Sequence, residues 1–144
     1  MAPDGHLIRL QLPSSFDLLD LVQVLSDRCS SMAGLDEDAA HWVSVSVRES
    51  VINAIKHGNK EAPDKKVTVA FELTPKDAPE RFVIEVLDEG EGFDPGEVAD
   101  PLDPANVLKS SGRGIFFMRS FMDEVNIGRR PEGGTAVRMS KKLG

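Results

Sequence analysis

A single cysteine, Cys29, excludes an intrachain disulfide and any zinc site built on several thiolates. It reads as a small buried hydrophobe in a reducing compartment. The N-terminus from Met1 to His6 has neither a basic n-region nor an apolar h-region. No apolar run approaches the length that spans a bilayer. The expectation is a cytosolic protein without membrane attachment. Basic charge is also scarce: 17 Lys and Arg stand against 24 Asp and Glu, a net charge of −7. That argues against general nucleic-acid binding and attraction to anionic membranes. An anionic ligand would need local help, from a divalent cation or from helix N-termini.

The 144 residues are expected to form one domain, 1–144, long enough to bury a core, with no repeat and no linker. His6 to Leu12 alternates as a short strand ended by Pro13. Ser14 and Ser15 offer an N-cap to a helix reaching about Ser31, with Leu18, Leu19, Val22 and Leu25 at helical spacing. Asp36 caps a second helix, expected to run to about His57 and stop at Gly58. At roughly 100° per residue, Ala40, Val43, Val47, Val51 and Ala54 make one apolar stripe on it. Glu49 and Asn53 lie nearly opposite, with Trp42, Ser46 and Lys56.

Lys66 to Leu73 and Arg81 to Asp88 alternate as strands joined by a hairpin loop, and Glu89 to Ser111 is a long Gly/Pro/Asp-rich loop. Gly112-Arg113-Gly114 opens a helix through Phe121, and two strands around Pro131 to Gly134 close the chain. The order β-α-α-β-β-α-β-β implies an α+β two-layer sandwich: a mixed, mainly antiparallel sheet with helices on one face.

Four stretches carry chemistry. Glu49 and Asn53, four residues apart, share a helix face one turn apart. An amide oxygen suits Mg²⁺ when phosphates supply the charge, and a carboxylate beside it can accept a proton. Two solvated polar residues would share that spacing. Asp88-Glu89-Gly90-Glu91-Gly92 follows a strand; the Asp can accept a hydrogen bond from an exocyclic amine, and the glycines permit close approach. A simple turn has the same composition. Ser110-Ser111-Gly112-Arg113-Gly114 exposes backbone N–H groups at a helix start, where a phosphate can sit, though an ordinary helix entry looks alike. Gly133-Gly134-Thr135 is a hairpin turn whose Thr hydroxyl could reach a base.

Together, in this order, these stretches resemble the N box and the two glycine boxes of the GHKL ATPase superfamily, which has the Bergerat, histidine-kinase-like ATPase fold. Gyrase, sensor histidine kinases and MutL belong to that superfamily. Glu49 to Gly58, and Gly112-Arg113-Gly114-Ile115 running into Phe121 to Val125, look like anti-sigma factor serine/threonine kinases of the RsbW and SpoIIAB type. The resemblance covers nearly the whole chain. It implies ATP and Mg²⁺, with Asn53 as metal ligand and Glu49 as general base. It implies that Asp88, Gly90 and Gly92 hold adenine, that Gly112 and Gly114 carry the lid and phosphate contacts, and that Thr135 lies near the base. A STAS-domain anti-anti-sigma protein, a sigma factor and a second copy of the chain are the implied partners. One departure stands out: the family's lid arginine is Ser110 here, with Lys109 and Arg113 as adjacent candidates. That favours, as the competing reading, an ATP-binding module that sequesters a regulator without phosphoryl transfer. A detached sensor-kinase domain and gyrase-type hydrolysis fit less well. His57 reads as complementing the helix dipole, and Trp42, Phe116 and Phe117 as packing groups.

Overall fold

A computed structural model describes residues 5–90 and 118–143. Five strands form one sheet: β1 (His6–Pro13), β2 (Lys66–Thr74), β3 (Arg81–Leu87), β4 (Glu124–Arg129) and β5 (Thr135–Lys142), in the order β1-β2-β3-β5-β4. A mixed sheet was the expectation; every described pairing is antiparallel. Strand alternation builds the core in rows across the sheet. One row reads Ile8, Phe71, Ile84, Met139, Val125; the next reads Leu10, Val69, Val86, Val137, Ile127. The opposite face carries Arg9, Glu72, Glu85 and Arg138, the last two paired at 3.5 Å.

Helix α1 (Leu19–Met32) and helix α2 (Glu37–Asn53) cover the apolar face. A 3-10 turn, Phe16–Leu18, leads into α1, with Ser15 Oγ accepting from Asp17 N. Asp36 caps α2 by accepting from Ala39 N at 2.8 Å, as its position predicts. Val43, Val47, Val51 and Ala54 are buried as the stripe requires. The buried face is wider than the stripe, because Ser46 and Ser50 are also about 1% exposed. Ser50 Oγ donates to Ser46 O at 2.9 Å, and Met118 Sδ lies 3.3 Å from that hydroxyl. The helix backbone satisfies these hydroxyls, so Ser46 does not share the open face expected for it. Trp42 departs from the packing role: it is 38% exposed and meets His41 edge-on at 5.2 Å.

Helix α2 widens at its end into a π turn, Ala54–Gly58, where Asn59 N donates to Ala54 O at 2.8 Å. Residues 118–121 are helical, matching the end of the expected third helix. Cys29 is buried, and burial pushes its thiol pKa up to about 11. Among the described residues, no helix is long and apolar enough to cross a membrane.

Candidate functional site

The alternation that places Phe82, Ile84 and Val86 inward also places the next alternate residue, Asp88, inward. On β5 the same parity carries Met139 and Val137 to Thr135. Both polar residues therefore end core rows, beside the C-terminal end of α2. Asp88 is 3% exposed and Thr135 1%. Asp88 N donates to Thr135 O at 3.0 Å, extending the ladder by one step.

A small pocket opens there, lined by Asn53, Asp88, Met118, Ile127, Thr135 and Val137 among others. Its volume, about 20 Å³, suits a water-sized group rather than a purine ring. A planar base enters only if the wall yields. Met118, unbranched and with several rotatable side-chain bonds, is the lining side chain best able to do so.

The carboxylate of Asp88 is only half used. Oδ1 accepts from Gly90 N and Thr135 N, each at 3.0 Å. Among the described residues, no donor meets Oδ2. Burial pushes the Asp88 pKa above the ordinary carboxylate value, opposed by the two backbone donors and by the charges of Arg130 and Lys65. Thr135 Oγ1 is also buried and unpartnered among the described residues. An acceptor and a hydroxyl thus stand unmatched at one pocket, a pattern that fits an amine-bearing heterocycle.

Close backbone approach makes this possible. A Cβ on Gly58 would overlap the Asp88 carboxylate, and one on Gly90 would overlap the Gly58 carbonyl. Gly134 has φ +97°, and its Cβ would strike the Asp88 carbonyl. The space freed by Gly90 is filled by Gly58 backbone, not kept for a base. Replacing Gly58 by Ala is expected to cost about 1–3 kcal/mol of stability by overpacking. It should also weaken ligand binding by turning the Asp88 carboxylate. Thermal unfolding and calorimetric titration measure the two effects.

Asn59 holds this corner together. It is 1% exposed; Nδ2 donates to Ser14 Oγ at 2.8 Å and to Lys66 O at 3.0 Å, and Oδ1 accepts from Glu89 N at 2.8 Å. Ser14, expected to share the capping of α1, instead donates to Lys65 O at 2.6 Å.

The pocket brings Asn53, Asp88 and Thr135 together. The Asn53 carboxamide is half-buried and makes no hydrogen bond among the described residues. Glu49 is half-buried one turn away, likewise without a hydrogen bond or ion pair among the described residues, and it does not line the pocket. Exposed His57 stands in the π turn that ends this helical segment. Gly92, Lys109, Ser110, Gly112, Arg113, Gly114, Phe116 and Phe117 lie outside the described residues. Sequence reasoning missed Asn59 and the packing role of Gly58. Their adjacency to the helix end, five and six residues beyond Asn53, was the available signal.

The sheet, its one-sided helical cover and the pocket at the sheet's end define a histidine-kinase-like α+β sandwich. Residues 13–141 match the histidine kinase-like ATPase domain, and the chain belongs to that family. It is 30% identical over 143 residues to the serine-protein kinase RsbW of Staphylococcus epidermidis, covering 94% of this chain and 86% of that one. With the serine-protein kinase RsbW of Staphylococcus aureus it shares 27% over 150 residues, covering 99% and 91%. Its fold is similar to the RsbU and RsbW domains of a Mycobacterium tuberculosis protein, with a TM-score of 0.62 at 16% identity, covering 96% of this chain and 32% of that one. The histidine kinase domain of an Erythrobacter litoralis blue-light activated kinase follows at a TM-score of 0.55 and 16% identity, covering 88% and 61%.

Proposed function

We propose that the protein is an ATP-dependent protein serine/threonine kinase that acts as an anti-sigma factor. It would phosphorylate a serine or threonine of a STAS-domain anti-anti-sigma partner and, in its other state, sequester a sigma factor. The observation that carries the nucleotide reading is the unpaired Asp88 Oδ2 together with the buried, unpartnered Thr135 Oγ1, on two residues that line one pocket with Asn53. Asp88 would take the adenine amine as acceptor. Thr135 would bond the base directly or through water.

Among the described residues, no three His, Cys, Asp or Glu side chains gather to hold a metal. Mg²⁺ would be held by the neutral amide oxygen of Asn53, whose chemistry suits the ion where phosphates carry the charge. Mg²⁺, when bound there, supplies charge neutralisation to the phosphates. Glu49 would take the proton of the attacking hydroxyl as the acceptor oxygen bonds to the terminal phosphorus and the bond to the ADP oxygen breaks. Gly90 supports the acceptor side of Asp88 through its N–H. Gly92, Lys109, Gly112, Arg113 and Gly114 complete the proposed nucleotide contacts. The protein would work in the cytosol, as a homodimer.

Glu49→Gln is expected to lower phosphate transfer to the STAS partner about 100-fold or more, with ATP affinity unchanged. A phosphate-transfer assay beside calorimetric titration tests this, and transfer at the parent rate removes Glu49 from the role. A second reading, sequestration without transfer, draws on Ser110 in place of the family's lid arginine. It predicts ATP binding with no transfer to any STAS protein.

A further inference from the structure

Arg130 has no part in the reading above. It follows the end of β4, where the chain turns back into β5. Arg130 N donates to Gly134 O at 2.9 Å, and Gly133 N donates to Arg130 O at 3.0 Å, so the turn is closed by its own backbone. It does not need the arginine side chain to hold its shape.

That side chain reaches away from the turn to the end of β3. Nη1 donates to Asp88 O at 2.6 Å, and Nη2 meets Glu132 Oε1 at 3.1 Å. The Arg130 side chain is 20% exposed, against 63% for Glu132. The fork is therefore anchored on its covered side, at Asp88, and only braced on its wet side.

The carbonyl it holds belongs to the residue whose carboxylate faces the pocket. Asp88 N is fixed by Thr135 O, its carbonyl by Arg130, and Oδ1 by two backbone donors. Oδ2 alone is left for a ligand. Removing the guanidinium leaves the peptide after Asp88 held only at its N–H end, by Asn59 Oδ1, and withdraws one of the two cations, with Lys65, that favour the charged carboxylate.

We propose that Arg130 is a positioning residue of the base pocket, which locks the Asp88 backbone so that Oδ2 is presented to a 6-aminopurine. The proposal rests on the reading of Asp88 as the base acceptor. Arg130 itself touches no ligand; it acts through Asp88.

The test compares ATP with purine riboside triphosphate, which carries hydrogen where ATP carries the amine. Dissociation constants for both are measured by calorimetry on the parent, Arg130→Met, Arg130→Gln and Arg130→Lys, with thermal unfolding to establish folding. The parent should prefer ATP about tenfold, the size of one hydrogen bond to a charged group. Arg130→Met should lose most of that preference, chiefly through ATP, and Arg130→Lys should restore part of it. If Arg130→Met does not fold, Arg130→Gln is read by the same ratio and should show a reduced preference. A variant that weakens both nucleotides alike and keeps the parent ratio overturns the proposal and leaves Asp88 in its role. A parent that does not distinguish the two nucleotides overturns the Asp88 reading, and the proposal with it.

Discussion

Asp88→Asn is expected to weaken ATP binding about ten- to hundredfold and to make the protein more stable near neutral pH. The two effects have one origin. Asn keeps an oxygen for the Gly90 and Thr135 N–H groups. It replaces the free Oδ2 with an NH₂ group, so a donor faces the donor of the base. Binding falls because an acceptor has become a donor in a buried place. Stability rises because the native state no longer holds a carboxylate that burial disfavours.

The pH dependence follows in sign. The Asp88 pKa is raised in the folded state, mainly by desolvation. Between the ordinary carboxylate value and that raised value, the native state binds more protons than the unfolded state. Stability therefore falls as pH rises through this window. The variant lacks that term. Its advantage in melting temperature should be full above the window and fade as pH falls through it towards the ordinary carboxylate value. Equal ATP affinity, or a melting-temperature gap independent of pH, would contradict the assignment.

Asn59→Leu should have the largest effect on stability, about 3 kcal/mol or more, read as a lower urea midpoint. Three hydrogen bonds vanish at a residue that is 1% exposed. Leu has a similar branched shape but more volume, so the loss is polar with some overpacking, and no cavity is left. Glu89 N and Lys66 O lose their Asn59 partner, and replacing one member of a buried network costs the desolvation of those left behind. Asn59→Asp keeps the acceptor for Glu89 N but loses both donors and adds charge, so it should also destabilise. ATP affinity should fall in both variants, because Glu89 N directly follows Asp88, the proposed acceptor for the base. A Leu variant with the parent's urea midpoint would show that the Asn59 bonds contribute nothing net.

Much of this site could be read along the chain. The alternation Phe82, Ile84, Val86 points Asp88 inward, and the polar residue at the end of that run marks where the core stops. The stripe on α2 is buried at Val43, Val47, Val51 and Ala54 and half-buried at Ala40, and Asn53 stands half-buried at the pocket. The family resemblance agrees with the match over 13–141. What stayed hidden depends on tertiary register. Gly58 reads as a helix stop, and only the approach of β3 shows that its missing Cβ makes room for a carboxylate. Ser46 reads as polar surface, and only the packed structure shows it about 1% exposed with its hydroxyl donating to Trp42 O. Arg130 looks like a turn residue, and nothing local says that its guanidinium crosses to Asp88.

A crystal structure with a non-hydrolysable ATP analogue and Mg²⁺ tests the central claim most directly. The adenine amine should lie within hydrogen-bond distance of Asp88 Oδ2, with Thr135 Oγ1 at the base and Mg²⁺ on the Asn53 carboxamide. An analogue bound elsewhere, or an adenine whose amine turns away from Asp88, would contradict it.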